Sequence, residues 1–324
     1  MKRQLRRTSR RLYIRETLTA YGPEKANKIP YVDKYWQYIT VERGCTAKYA
    51  HACINHLNKF IDFLELTYNV FDFDPFNIEP YHIRRYMMYL KNDLGNKPKT
   101  RNHKVNAIRS YYAFLEGFEY IEKDDDPTQL IRRTRVPRQL PIYLKYEEAE
   151  ALLTAAAAGT HPERDVAILR LMLQTGMRVG EVIRLRVKDI NFEDRTLFIQ
   201  GKGNQERLVP LTDNTCAAIK NYLAVREPAS NQIEELFLNK IKTPLRQGTL
   251  YTFFKRLCRK AEVHKPNLSA CHLRHTCMTL LLQEGADLMA LKKLAGHKSV
   301  RTTQIYLSVS QKLLREAMKK HPLN

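Results

Sequence analysis

The helical patterning of this chain breaks sharply in its middle. Asp124-Asp125-Asp126-Pro127 closes a long block of apolar residues spaced at three and four, and Arg132, Arg133, Arg135 and Arg138 then alternate with Pro137 and Pro141. A segment this charged, with prolines that donate no backbone hydrogen bond, neither continues a helix nor enters a core. Each side of it must bury its own apolar surface, and 324 residues suffice for two domains of ordinary size. The expected division is a basic N-terminal arm at 1–25, a helical domain at 26–120, an extended basic linker at 121–140 and a second domain at 141–324.

Within the first block, Ala50, Cys53, Ile54, Leu57, Phe60, Ile61 and Leu64 recur at helical steps, as do Ile83, Tyr86, Met87 and Leu90, and again Val105, Ile108, Tyr112 and Leu115. Thr46 stands where a helix cap is wanted, and Pro98 where a helix begins. The polar faces hold Lys48, His51, Lys59, Arg101, Lys104 and Arg109. Of these, Lys48, Arg101 and Lys104, with the linker's Arg132, Arg133 and Arg135, are the expected contacts to a phosphate backbone.

Charge supplies the reason to expect such a backbone. The formal net charge is +21 and the isoelectric point about 9.7, far beyond what solubility requires, and such an excess serves to neutralise phosphates and release their counterions. The opening residues, from Lys2 to Arg15, are basic with no acid before Glu16, which reads as an arm free to gain phosphate contacts. No apolar run follows them as a signal peptide would need, and none approaches spanning length. Six cysteines without CxxC pairing give neither a disulfide framework nor a zinc site. A cytoplasmic, nucleoid-associated protein without membrane contact is the expectation.

The second half resumes with a helix at 147–156 and another at 166–173, the latter apolar nearly all round and so buried. Thr196 to Gln200 and Arg207 to Leu211 have strand composition on either side of the Gly-rich turn 201–205, a β-hairpin with Lys202 at its tip. The fold class is therefore mainly α with a small β element. No Walker-type loop is present, so ATP-driven chemistry has no support.

Four fragments carry chemistry: Thr175-Gly-Met-Arg-Val-Gly-Glu181, Gly201-Lys-Gly-Asn204, Leu273-Arg-His-Thr276, and Gly296-His297 followed nine residues later by Tyr306. Two arginines, Arg178 and Arg274, can hold the non-bridging oxygens of a phosphodiester and meet charge developing there. Glu181, one turn beyond Arg178, is placed to orient it. Lys202, mobile between two glycines, can protonate a leaving alkoxide. A phenol with a pKa of about 10 becomes a nucleophile only beside cations or a base, and Arg178, Arg274 and His297 can activate Tyr306. Singly, each fragment is also a plain structural feature: a helix junction, a solvated turn lysine, one tyrosine among 18.

Taken in order, Arg178, Lys202, Arg274, His297 and Tyr306 resemble the tyrosine recombinase family of phage integrases and Xer-type recombinases. The resemblance extends over nearly the whole chain, with Pro141 before the first helix of the second domain, Ser299 and Thr302-Thr303 between histidine and tyrosine, and the ending Lys319-Lys-His-Pro322. It implies a C-shaped clamp of a core-binding and a catalytic domain around double-stranded DNA with paired binding sites. Tyr306 would cut one strand to give a 3′-phosphotyrosine, with exchange through a Holliday junction and no cofactor or metal. Lys202 would be the general acid, Arg178 and Arg274 the phosphate clamps, and His297 a hydrogen-bonding stabiliser. The free protein would be a monomer or weak oligomer, and a homotetramer on DNA would exchange the helix 311–319 between protomers.

One departure stands out. Three residues before Arg274 the family commonly has a histidine, and here Cys271 occupies that position with His272 beside it, about 100° away on a helix. Cys271 is the expected substitute, in an enzyme that is active but slowed. The same departure fits a DNA-binding regulator with weakened catalysis, and the shared chemistry leaves a type IB topoisomerase-like enzyme as a further alternative. A mobile element is the expected beneficiary.

Overall fold

The computed structural model describes residues 28–69, 73–137, 141–201, 206–297 and 299–309. The expected basic arm, Lys202 at the hairpin tip and the helix expected at 311–319 lie outside these. The chain separates into two compact units between residues 138 and 139. Both are mainly helical, and the second also contains one three-stranded sheet.

The first unit contains α1 (Val32–Gln37), α2 (Ala47–Tyr68), α3 (Pro80–Asn92) and α4 (Pro98–Gly117). Thr46 caps α2 by accepting from Tyr49 N–H (3.3 Å), and prolines open α3 and α4, where a missing N–H costs nothing. Leu57, Phe60, Ile83, Tyr86, Ile108 and Tyr112 meet in one core. That core extends past residue 120, because Ile121 and Ile131 are buried in it. Asn102 and Thr134 then exchange two hydrogen bonds, Nδ2–H to O (2.8 Å) and N–H to Oδ1 (2.9 Å). The extended stretch expected across 121–140 is thus packed on α4 for its first part. Apolar residues at 121 and 131, spaced too widely to register as a helix face, hold it there.

Among the expected DNA contacts, Lys48, Arg132, Arg133 and Arg135 are exposed, and half-buried Arg101 donates to Asn96 O (2.7 Å). Lys104 corrects the reading of α4's polar face, being only 8% exposed. Burial, then Lys59, holds its ammonium below the ordinary range. His56 is also lowered, by burial and then by Lys59 and Lys104. A cation whose neighbours are cations destabilises the fold, so Lys104→Met is expected to raise the unit's midpoint in urea unfolding.

The second unit contains α5 (Tyr146–Ala157), α6 (Pro162–Thr175), α7 (Val179–Val182), β1 (Ile190–Asn191), β2 (Thr196–Gln200), β3 (Glu206–Pro210), α8 (Asp213–Val225), α9 (Gln247–Lys260), α10 (His272–Gln283), α11 (Leu288–Ala295) and α12 (Val300–Thr303). A 3-10 segment, Gln304–Val309, follows. β2 and β3 form the expected antiparallel hairpin, with Leu197 opposite Val209 and Ile199 opposite Arg207, and β1 adds to its outer side. Leu197, Ile199 and Val209 point into the core beside Leu169, Met172, Phe237 and Leu273. A smaller apolar cluster of Met278, Leu282, Leu291 and Ala295 carries Tyr306.

Candidate active site

Gly176 ends α6 in the left-handed conformation, at φ +61°, which glycine adopts without strain. A Cβ there would collide with the Met278 side chain, so the residue serves both the turn and the close passage of α10. The chain then enters α7 at Arg178. Its N–H donates to Glu181 Oε2 (2.9 Å) and its guanidinium to Glu181 Oε1 (2.8 Å), a reciprocal cap that fixes the side chain. Its other terminal nitrogen reaches Gly296 O (3.4 Å).

Glu181 is 4% exposed and is also held by Arg207 of β3, whose two terminal nitrogens lie 3.3 and 2.8 Å from Oε1 and Oε2. Burial pushes the carboxyl's pKa up, but hydrogen bonds from Arg207 and Arg178 outweigh it and hold the group below the ordinary range. Arg207 Nε donates to Leu294 O (3.0 Å), tying β3 to the end of α11. There Gly296, again left-handed at φ +61°, turns the chain toward His297, and a Cβ on it would press on Arg207 at 3.3 Å.

Arg274, 7% exposed on α10, donates to Gly176 O (2.7 Å) and Ala295 O (2.5 Å). Burial, and after it Arg178, lower it to about 10, so it remains cationic at neutral pH. His297 sets Nδ1 2.9 Å from Thr303 Oγ1 and is lowered to about 4 by burial, then by Arg274 and Arg178. Tyr306 is 1% exposed, with Oη 3.0 Å from His275 Nδ1 and its ring parallel to that of His297 at 6.4 Å. Burial raises its phenol, while Arg274 and Arg178 draw it back down.

Arg178, Arg274, His297 and Tyr306 therefore line one cleft of about 530 Å³, together with Cys271, His275, Gln247 and Tyr251. Cys271 precedes α10, and its exposed thiol lies 3.1 Å from Tyr251 Oη. Two guanidiniums and a neutral imidazole facing a phenol can bind a phosphodiester anion and stabilise charge gained on its oxygens. Sequence reasoning named Glu181 but missed its second partner, Arg207. The available signal was a charged residue in phase with Val209 on an inward-facing strand edge. It also missed His275, although the residue stands inside a quoted fragment, because its partner Tyr306 lies 31 residues ahead.

A model of the phage integrase family matches residues 143–312. Tyrosine recombinase XerD of Staphylococcus saprophyticus is 34% identical over 290 residues, covering 88% of this chain and 96% of that protein. XerC of Caldanaerobacter subterraneus is 37% identical over 242 residues, covering 74% and 67%. In fold, the chain is similar to XerH site-specific recombinase bound to palindromic difH substrate, with a TM-score of 0.72 at 22% identity over 91% of this chain and 86% of that one. It is likewise similar to the Tn1549 transposon integrase in complex with transposon right end DNA, at 0.68 and 19% over 88% and 99%. The chain belongs to the phage integrase family of tyrosine recombinases. No helix among the described residues is long and apolar enough to cross a membrane.

Two outcomes follow from this electrostatic arrangement. Arg207→Ala leaves Glu181 buried with one partner fewer, which should destabilise the second unit by about 3 kcal/mol. Without Arg207, burial raises the Glu181 pKa, and protonation relieves the uncompensated charge. The difference in melting temperature from wild type should therefore narrow as pH falls from about 8 to 5. For His297, proton NMR of the free protein, assigned with His297→Gln, should show no titration near neutrality and a midpoint near 4.

Proposed function

We propose that this chain is a site-specific DNA recombinase that cuts and rejoins strands through a 3′-phosphotyrosine at Tyr306, exchanges them through a Holliday junction within a tetramer, and serves a mobile element. The observation that carries the reading is the convergence of Arg178, Arg274, His297 and Tyr306 on one cleft from four separate stretches of sequence. Double-stranded DNA as partner is supported by the basic charge and by the fold neighbours, one bound to palindromic difH substrate and one in complex with transposon right end DNA.

A phosphodiester in the cleft meets Arg178 and Arg274, whose donors are already oriented by Glu181 and by backbone carbonyls. Charge gathering on the non-bridging oxygens then finds fixed partners rather than mobile water. If Thr303 donates its hydroxyl proton to His297 Nδ1, the remaining ring proton sits on Nε2 and can be offered to the same oxygens. The Tyr306 oxygen bonds to phosphorus as the bond to the 5′ oxygen breaks, and Lys202 supplies the proton that oxygen takes up. Phosphorus remains an ester throughout, so religation is the same step reversed and consumes no cofactor. Lys48, Arg101, Arg132, Arg133 and Arg135 are assigned to the DNA backbone, where they set position rather than sequence, and buried Lys104 drops out of that set.

Covalent capture tests the reading. The full chain is mixed with fragmented DNA of its source, quenched with detergent, and protein-linked ends are sequenced. Wild type should enrich one site with dyad or tandem symmetry, and Tyr306→Phe should abolish the adduct. Arg178→Ala should lower its yield by about a hundredfold or more. Sequence-specific binding with no adduct would replace the reading with that of a regulator, and adducts without a preferred site would favour a topoisomerase. The position of the site relative to mobile-element ends decides the biological assignment.

A further inference from the structure

The proposed reaction leaves one proton unassigned. Tyr306 must lose its hydroxyl proton as its oxygen bonds to phosphorus, and the position where family resemblance puts a histidine is held by Cys271, whose thiol is engaged with Tyr251 (3.1 Å). His272 is turned to Ser269, with Nδ1 3.0 Å from both the backbone nitrogen and Oγ of that residue. The next turn of the same helix carries His275. Its Nδ1 stands 3.0 Å from Tyr306 Oη, its ring centre is 5.6 Å from that of the tyrosine, and both residues line the cleft.

We propose that His275 is the general base that takes the proton of Tyr306, a catalytic residue doing here what the histidine replaced by Cys271 would otherwise do. The inference rests on the recombinase reading above. With the ring neutral and its proton on Nε2, Nδ1 accepts the hydroxyl hydrogen bond and then the proton itself. As the phenol oxygen bonds to phosphorus and the 5′ oxygen departs with a proton from Lys202, His275 becomes imidazolium. On religation the proton returns to the tyrosine oxygen, so protons and bonds balance over the cycle.

The surroundings keep His275 ready to accept. His272 and Arg274 lie on its own helix, Tyr306 faces it from the 3-10 segment, His297 from the turn after α11, and Arg178 from the start of α7. The charged groups in this set are cationic. Burial, followed by His272 and Arg274, lowers the His275 pKa, which leaves the ring neutral at pH 7. A base works only above its own pKa, so wild-type cleavage should be flat around neutrality. It should fall on acidification through a midpoint below the ordinary histidine value of about 6.5.

The test uses the full chain under single-turnover conditions on a duplex carrying the captured site, across about pH 5 to 10. Each protein is also given a duplex with sulfur in place of the bridging 5′ oxygen, a leaving group that needs no proton. Loss of an acid is rescued by sulfur, whereas loss of a base is not. His275→Ala and His275→Gln should bind the duplex like wild type and cleave it about a hundredfold or more slowly at pH 7. They should recover as pH rises toward phenol ionisation and gain nothing from sulfur. Lys202→Ala should be rescued by sulfur, and Cys271→Ala should lose less activity than His275→Ala and keep the acidic fall of the wild-type pH profile.

Full activity in His275→Gln, which keeps a hydrogen bond but cannot take the proton, would overturn the proposal. So would a loss equal at every pH, rescue by sulfur, or a Cys271→Ala defect as deep as that of His275→Ala. Absence of any Tyr306-dependent adduct in wild type would instead refute the recombinase reading on which the inference stands.

Discussion

A carboxylate almost wholly removed from water and gripped by two arginines organises the second unit. Unpaired, Glu181 would cost several kcal/mol to bury. Paired with Arg178 and Arg207, it joins the start of α7 to β3. Because Arg207 also reaches Leu294 O and Arg178 reaches Gly296 O, the same charge fixes the end of α11 and the turn that presents His297. Three elements far apart in sequence thus take their relative positions from one buried anion, and the cleft inherits its geometry from them.

Arg274 is positioned by a different device. Helix C-termini leave carbonyls without intrahelical partners and carry partial negative charge. α6 ends at Gly176 and α11 ends at Ala295, and the carbonyls of both point at the Arg274 guanidinium. One cation satisfies two helix ends, which is why a side chain so deeply buried remains charged. The left-handed glycines at 176 and 296 belong to the same solution, since each lets a helix stop where its carbonyl can be used and where a Cβ would strike a neighbour.

Much of this was legible in the residues alone. Long helices with one apolar stripe announce themselves, and the strand composition around Gly201–Gln205 placed the hairpin to within one residue. Arg178, Arg274, His297 and Tyr306 were found because each sits in a local string whose spacing is informative. What escaped depended on contacts between distant stretches. Arg207 is unremarked in sequence because its partner lies 26 residues earlier, and β1 is only two residues long. The packing of 121–134 onto α4 rests on two apolar residues and a pair of hydrogen bonds between the Asn102 side chain and the Thr134 backbone, neither of which leaves a periodic trace. Lys104 read as solvent-facing because a long stem ending in a charge looks polar wherever its methylenes lie.

The crowding of cations around the cleft has a thermodynamic side. Burial first, and then Arg178 beside it, makes Arg274 easier to deprotonate, and burial followed by Arg274 and Arg178 makes His297 resist protonation. Without a bound anion, part of the folding free energy is spent holding these charges together, and an anion in the cleft removes that repulsion. Occupancy and folding are thereby linked: a ligand at a hundred times its dissociation constant adds about 2.7 kcal/mol to stability. The unliganded second unit is accordingly the less stable of its two forms, and a polyanion that enters the cleft completes the fold as well as occupying it.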